Sequence, residues 1–273
     1  MLKLVNKSVN TNMTNGVSIE QALDFAVKDP LKNALVISNL TQLQNDCNFA
    51  LRNSSANNPA VASLDMDMPF NSIALMADSE TDVMALINEL SRRYAQLENQ
   101  PIYGLFSEEI TKQIESSYRV TQKNREIQLT ISDVEIPGLY LDADRYRLEK
   151  LTTRDLSSIS QLYGVVPAMD WTPKLLSFGP YFGIYYKEFL VSTAGVQFAT
   201  QWVSEIGNIV THPNYLRQNL AYHCTKAVVD CLRDISDNIF LNVIADNHGA
   251  IKLYEKMGFV KTDDLFLVQF YVN

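Results

Sequence analysis

The amino-acid sequence predicts a mixed α/β fold made of two similar units in tandem. Runs of β-branched residues alternate with segments whose apolar residues recur at helical spacing. A helix–strand–helix–strand order in the N-terminal half recurs about 138 residues later. The chain has 273 residues, of which 47% are hydrophobic, and it exceeds the common size of a single domain. Two α/β units of one plan explain these observations together.

The N-terminal half is predicted to contain the first copy of this plan. Short apolar runs at 61–66 and 72–76 predict two strands. The segment from Ser79 to Asp82 predicts the start of a helix, because a serine side chain accepts hydrogen bonds from first-turn amides. The apolar face of that helix consists of Val83, Leu86, Ile87, Leu90 and Tyr94. The elements predicted to follow are a strand at 101–106, a helix at 107–117 and a strand at 125–131.

A boundary between the two units is predicted at the segment Ile136-Pro-Gly-Leu-Tyr. Proline and glycine favour turns, and the acidic residues Asp142 and Asp144 follow them. The predicted domains are therefore 1–140 and 141–273. The second is predicted to contain, in order, a strand at 146–151, a helix at 155–163, antiparallel strands at 181–186 and 189–198, and a strand that begins at Glu205.

The segment from Glu205 to Ala221 predicts a strand that leads into the N-terminus of a helix. Its β-branched run stops at Pro213, and the helix is predicted from about Arg217. The apolar or small residues at helical spacing are Leu220, Cys224, Ala227, Val228, Cys231, Leu232 and Ile235. First-turn amides lack intrahelical partners and lie at the positive end of the helix dipole. This junction is therefore predicted to bind a phosphate group.

The segment from Leu241 to Phe259 repeats the strand-to-helix plan. A strand is predicted at 239–244, and Asp246 and Asn247 are both good N-cap residues. The predicted apolar helix face consists of Ala250, Ile251, Tyr254 and Met257. Gly258 is placed to end the helix in the left-handed conformation, and a further strand is predicted from about Leu265.

The pattern Asn-x-x-Ala-x-x-x-Tyr-x-x-x-Gly-Phe at 247–259, with the elements before it, resembles the core of the GNAT N-acetyltransferases. The resemblance covers about Tyr146 to Asn273. It implies acetyl-CoA, or another acyl-CoA, as co-substrate, a small-molecule primary amine as acceptor, and no metal. The tandem order is similar to that of the glycine N-acyltransferase-like group. Because the N-terminal half has no counterpart of the loop or of this pattern, its copy is expected to be degenerate and without CoA.

The resemblance also implies which residues bind the cofactor. The family loop reads Arg or Gln, two residues, Gly, one residue, then Gly or Ala, and this chain has Leu216, Asn219 and Ala221 at those positions. Asparagine is the residue besides glycine that best tolerates a positive φ. The implied cofactor-binding residues are Ile209, Val210, Thr211, Arg217, Gln218, Asn219, Leu220, Ala221, Asn247, Ala250 and Tyr254. Gly207 is predicted to mark a bulge that separates its strand from the next one.

Three residues are candidates for the chemistry. A free alkylamine is largely protonated at pH 7, so a base must remove a proton before the nitrogen attacks a thioester. Glu205, eleven residues before Leu216, is the first candidate base, although a strand-end carboxylate can equally be a solvated group or a substrate ion pair. His212 is the competing base. The resemblance implies that Tyr254 donates a proton to the departing thiolate, although an aromatic residue on that helix face can also be a core residue.

Composition limits the possible partners. The net charge is −8, which disfavours nucleic-acid and anionic-membrane binding. No apolar run approaches the roughly 18 to 20 residues that span a bilayer, and residues 1–10 lack a signal-peptide core. Cys224 and Cys231 are about 10 Å apart on one predicted helix, too far for a disulfide. A cytoplasmic location is expected.

The identity of the amine is left open by the sequence. The aromatic residues concentrated before and around Glu205 are candidates for an acceptor pocket, and about half of them are expected in the core: Trp171, Phe178, Tyr181, Phe182, Tyr185, Tyr186 and Trp202. The alternative to an acyltransferase is a non-catalytic CoA-binding module that acts as a sensor or scaffold. Release of free thiol from acetyl-CoA in the presence of amines discriminates between the two.

Overall fold

A computed structural model describes residues 16–54, 57–168 and 170–272 of the chain. The N-terminal segment 1–10, to which the signal-peptide expectation refers, lies outside the described residues. Contacts between residues divide the chain into two compact units. The first unit contains described residues within 16–29, 35–123 and 268–272. The second contains residues within 30–34 and 124–267.

The first half of the chain begins with two helices and then forms strands and helices in alternation. Its elements are α1 (Ile19–Ala26), α2 (Ala34–Leu40), β1 (Cys47–Asn53), β2 (Pro59–Asp65), β3 (Asn71–Met76), α3 (Glu80–Arg93), β4 (Ile102–Phe106), α4 (Glu108–Ser117) and β5 (Arg119–Ile131). Within the first unit, β1, β2 and β3 are antiparallel neighbours, and β3 pairs with β4 in parallel. The sequence predicted most of these elements, but it did not predict α1, α2 or β1.

The second half of the chain has the order expected from its motifs. Its elements are β6 (Tyr146–Lys150), α5 (Leu156–Val165), β7 (Phe182–Tyr186), β8 (Phe189–Ala199), β9 (Ser204–Thr211), α6 (Leu220–Leu232), β10 (Ile239–Ile244), α7 (His248–Met257) and β11 (Val260–Tyr271). Within the second unit the strand order is β5-β10-β9-β8-β7-β6. The pairs from β6 to β9 are antiparallel, β9 and β10 are parallel, and β10 and β5 are antiparallel. This is the mixed α/β fold that the sequence predicted.

Four predicted element boundaries are wrong. Strand β5 begins at Arg119 and not at Arg125, and strand β11 begins at Val260 and not at about Leu265. Helix α6 begins at Leu220 and not at Arg217, because both Arg217 and Asn219 adopt a positive φ that no helix tolerates. The same helix ends at Leu232, so Ile235 lies beyond it and is exposed.

The contacts group residues differently from the predicted domains 1–140 and 141–273. The segment 124–140 belongs to the second unit, where β5 pairs with β10 from Glu126 to Ile131. The C-terminal residues of β11 belong to the first unit. Residues 124–131 supply buried side chains to the second core, among them Leu129 and Ile131. The predicted boundary near 140 stays a prediction about how the domains are organised.

Strands β9 and β10 separate soon after they begin. Their pairing is limited to Ile239 with Ser204 and Phe240 with Glu205. On the other side of β9, the register with β8 shifts between Thr193 and Gly195, so that two residues, Asn208 and Ile209, lie opposite Ala194. Asn208 has a φ of 52°, as bulge residues often do. The predicted bulge is therefore present, one residue later than at Gly207.

Candidate active site

The gap between β9 and β10 is the first feature of the candidate active site. After Glu205, the residues of β9 have no pairing partner on β10 among the described residues. The edge formed by Ile209, Val210 and Thr211 therefore has backbone groups available for an extended ligand, as β-strand addition requires. The predicted cofactor-binding strand lies where the two strands are apart.

The loop that follows β9 carries the second feature. His212 caps a short 3₁₀ turn at Pro213–Tyr215, and the chain then reaches Asn219, which is the N-cap of α6 with a φ of 58°. Asn219 thus adopts the left-handed conformation that glycine or asparagine best tolerates. The amides of Asn219, Leu220 and Ala221 have no acceptor among the described residues, since the first helical bond runs from the His223 amide to the Asn219 carbonyl. These amides can therefore donate hydrogen bonds to a phosphate group.

Helix α7 is capped at both ends as predicted. The Asn247 side-chain oxygen accepts a hydrogen bond from the Ala250 amide at 3.2 Å. Gly258 ends the helix with a φ of 98°. A side chain at Gly258 would be strained at this φ and would bring its Cβ to 3.0 Å from Val134. Asn247 is exposed at the end of β10, so its cap does not prevent contact with a ligand.

Tyr254 lies on the buried face of α7, packed edge-on against Phe259 with ring centroids 5.9 Å apart. Only 6% of its surface is exposed, and burial raises the pKa of its phenol well above the usual value. The phenol oxygen has no hydrogen-bond partner among the described residues, yet it is not completely buried. Tyr254 is therefore both a core residue and a neutral proton donor with a free hydroxyl group.

Glu205 is the most strongly perturbed acid of the second unit. Its side chain is 9% exposed, and its Oε1 accepts a hydrogen bond from Nδ2 of Asn242 at 2.9 Å. Burial raises the pKa of Glu205 to about 8; the Asn242 bond lowers it, and the charges of Asp170 and Glu126 raise it further. A carboxyl group with a pKa near the working pH is suited to general-base catalysis.

Two acids near Glu205 were missed by sequence reasoning. Burial raises the pKa of Glu126 to about 7, and the charge of Asp170 contributes. Burial also raises the pKa of Asp170, whose carboxylate accepts a hydrogen bond from Nε2 of Gln197. Glu126 lies in a segment assigned by sequence to the N-terminal domain, and Asp170 lies in an irregular segment. Neither has a local motif that would have identified it.

His212 occupies a different part of the site. Its Nδ1 accepts a hydrogen bond from the Asn214 amide at 3.2 Å, and its ring packs edge-on against Tyr215 at 5.6 Å. The side chain is half-buried at the end of β9. One ring nitrogen is thus already engaged in capping the turn, which leaves Nε2 for any proton transfer.

The aromatic residues before and around Glu205 differ in how deeply they are buried. Tyr181 is buried, and its hydroxyl donates to the Val196 carbonyl at 3.0 Å and accepts from Nδ2 of Asn208 at 3.0 Å. Trp171 is partly buried and packs edge-on against Tyr163 at 5.2 Å. Its indole Nε1 is buried without a hydrogen-bond partner among the described residues. The described side chains hold no cluster of three potential metal ligands.

Comparisons with known proteins place this geometry in a family. The model of the Acetyltransferase (GNAT) family matches residues 147–259. No curated protein matches the chain. Across the described parts of the chain, no helix is both long and apolar enough to cross a membrane.

Solved structures share the fold over most of the chain. A protein assigned to the GNAT family from Novosphingobium aromaticivorans DSM 12444 has 17% identity and a TM-score of 0.66, covering 89% of this chain and 99% of its own. A GCN5-related N-acetyltransferase from Kribbella flavida has 12% identity and a TM-score of 0.67, covering 89% and 96%. A tandem GNAT protein from the clavulanic acid biosynthesis pathway has 13% identity and a TM-score of 0.61, covering 92% and 94%.

At these identities the likeness establishes the fold, and the family match covers the segment that holds Glu205, the α6 loop and Tyr254. The fold neighbours include a tandem protein, in agreement with the two-unit plan that the sequence predicted. Across residues 147–259, the chain contains a domain of the GNAT acetyltransferase family.

Proposed function

We propose that the second unit transfers an acetyl group from acetyl-CoA to a small primary amine, with Glu205 as the base. The observation that carries the proposal is the position of Glu205. Its buried carboxyl lies on β9 at the last residue that pairs with β10, where the two strands begin to separate. A thioester held between the strands would have its carbonyl carbon close to this carboxylate.

Every proton and every bond in the proposed reaction is accounted for. The amine nitrogen bonds to the thioester carbonyl carbon, and the carbon–sulfur bond breaks. The proton lost by the amine passes to Glu205, and the hydroxyl of Tyr254 gives its proton to the sulfur. The proton on Glu205 then returns through water to the Tyr254 oxygen, which restores both groups. A phenol stays protonated at neutral pH and is therefore available to donate to the thiolate as the carbon–sulfur bond breaks. Free backbone groups of Ile209 to Thr211 support a role in holding the acyl-CoA arm and its carbonyl oxygen.

The helix amides from Asn219 to Ala221 are proposed to hold the pyrophosphate of acetyl-CoA. They are free of protein acceptors, and the dipole of α6 favours an anion at this end. Asn247 and Ala250 on α7 are proposed to contact the same cofactor. The N-terminal half is proposed to contribute no second cofactor site, because it has no counterpart of this loop or of the 247–259 pattern.

The test is a thiol-release assay with acetyl-CoA and a panel of amines, followed by mass spectrometry of the products. We expect an acetylated amine and one thiol per product. Glu205→Gln should lower the rate at neutral pH, while the charge-matched surface variant Glu188→Gln should leave it unchanged. Cofactor binding without thiol release for any amine would favour the alternative, a CoA-binding sensor or scaffold. Absence of any binding to acetyl-CoA would contradict both.

A further inference from the structure

Two carboxylates besides Glu205 lie on the same side of the sheet in the second unit. Glu126 on β5 is paired with Ile244 on β10, and side chains two residues apart on a strand share a face. Asn242, two residues before Ile244, therefore faces the same side as Glu126. Asn242 donates its hydrogen bond to Glu205, which places that carboxylate on this side as well.

Asp170 is connected to this face by a hydrogen bond from the side chain of Gln197. The Gln197 side chain lies over Gly207, where an added Cβ would be 2.7 Å from Nε2. Gly207 is two residues after Glu205 and shares its face. Nε2 of Gln197 donates to Asp170, so this third carboxylate is linked to the same face of the sheet.

None of the three carboxylates forms an ion pair with a lysine, arginine or histidine among the described residues. Each is desolvated, and Glu126 and Glu205 both feel the negative charge of Asp170. Clustered acids without a cation cost free energy in the folded protein. A cationic ligand would remove that cost.

An independent observation comes from Asn208 on the β9 bulge. Its side chain is 8% exposed, and its Oδ1 has no hydrogen-bond partner among the described residues. Its Nδ2 donates to the Tyr181 hydroxyl. Burial raises the pKa of that phenol, and the charge of Asp170 contributes, so Asn208 and Asp170 both lie near Tyr181. An unfilled buried acceptor beside the acids suits an N–H donor.

We propose that the acceptor is a diamine or polyamine, whose reacting nitrogen lies at Glu205 while Glu126 and Asp170 hold a second ammonium group. The proposal rests on the acetyl transfer proposed above. A monoamine needs one carboxylate, and this face provides three. Tyr163 and the partly buried Trp171, which pack edge-on against each other, provide apolar ring surface near Asp170 for the methylene chain that joins the two nitrogens.

The test compares the full-length protein acting on putrescine and on aminobutanol, in which a hydroxyl replaces the second ammonium. We expect kcat/KM to favour putrescine at least about tenfold, because a hydrogen bond to a charged group is worth more than one to a neutral group. Asp170→Asn and Glu126→Gln should each lower kcat/KM for putrescine about 10- to 100-fold. The same variants should lower kcat/KM for aminobutanol much less than for putrescine, and circular dichroism checks that they fold. Asp234→Asn and Glu188→Gln, which remove exposed carboxylates, serve as controls.

Calorimetric titration with putrescine separates failure of this proposal from failure of the proposed function. A bound dication stabilises the ionised carboxylates, so binding should release protons to the buffer, and Asp170→Asn should weaken binding and reduce that release. Equal use of putrescine and aminobutanol, both acetylated, would overturn the diamine assignment and leave the acetyltransferase standing. Binding of putrescine that depends on Asp170, without acetylation of any amine, would support the cation site and contradict the enzyme.

Discussion

Asn242 on β10 donates a hydrogen bond to Glu205 on β9 at 2.9 Å. Glu205 belongs to the last residue pair that joins the two strands, and Asn242 lies two residues beyond that pair on β10. The side-chain bond thus spans the start of the gap between the strands. It orients one carboxylate oxygen and leaves Oε2 of Glu205 without a protein partner among the described residues. A carboxylate that is held by one oxygen and free at the other can accept a proton from a ligand.

Glu205→Gln should stabilise the protein at alkaline pH. The folded-state pKa of Glu205 is about 8, above its unfolded value of 4.5, so the folded state binds the extra proton between these values. Stability therefore falls as pH rises from about 4.5 to 8, and glutamine removes that loss. We expect a gain on the order of 5 kcal/mol at pH 9 and none near pH 4. Urea unfolding at both pH values measures it, and an equal gain at both would contradict the assigned burial cost.

Glu205→Gln should also alter the pH–rate profile. In the wild-type protein, kcat/KM should rise with pH through about 8 as Glu205 ionises. The glutamine variant should lose this rise and recover partly at high pH, where the amine itself is neutral. If His212→Ala removes the rise while Glu205→Gln preserves it, His212 is the base. If neither variant changes the profile, the amine loses its proton through water.

Tyr254→Phe should lower turnover about 10- to 1000-fold with little change in affinity for acetyl-CoA. The change preserves ring packing against Phe259 and deletes the hydroxyl that has no protein partner. Tyr222→Phe is the matched control, because its hydroxyl donates to the Pro137 carbonyl at 2.6 Å and has a structural role. Steady-state kinetics and equilibrium binding measure the two effects. A Tyr254→Phe protein with normal turnover would exclude it as the acid.

Asn219→Pro should abolish stabilisation by acetyl-CoA. Proline cannot adopt the positive φ of 58° found here, and it removes an amide from the loop. Asn219→Gly keeps both features and should bind normally. At 100 times its dissociation constant, acetyl-CoA should stabilise the wild-type fold by about 2.7 kcal/mol, which raises the melting temperature by several degrees. A thermal shift that survives in Asn219→Pro would place the cofactor elsewhere.

Cutting the chain at the predicted boundary should destabilise the catalytic unit. A 141–273 fragment lacks the part of β5 that pairs with β10 and supplies Leu129 and Ile131 to the core. Its β10 would become an unpaired apolar edge, so we expect aggregation. A 124–273 fragment retains the strand and should be the more soluble of the two in size-exclusion chromatography. A soluble and fully active 141–273 fragment would show that β5 is dispensable.

Local sequence determined most of the second half. The helix α7 was predictable because its caps, Asn247 and Gly258, and its apolar spacing are properties of neighbouring residues. The position of Glu205 on β9 was predictable for the same reason. Helix α6 was predicted three residues too early, because its start depends on the left-handed conformations of Arg217 and Asn219. The positive φ of Asn219 agrees with its residue type, whereas that of Arg217 was not evident from residue type.

The amino-acid sequence by itself determined the alternation of strands and helices, the family pattern and the candidate base and acid. Only the tertiary structure decided that Glu126 and Asp170 lie near Glu205. The three come from β5, an irregular segment and β9, and no local pattern joins them. Strand register brings Glu126 and Glu205 to one face of the sheet, because register is set by pairing between segments distant in sequence. A hydrogen bond from Gln197 links Asp170 to that face. Burial, which residue type does not reveal, gives the three carboxylates their raised pKa values.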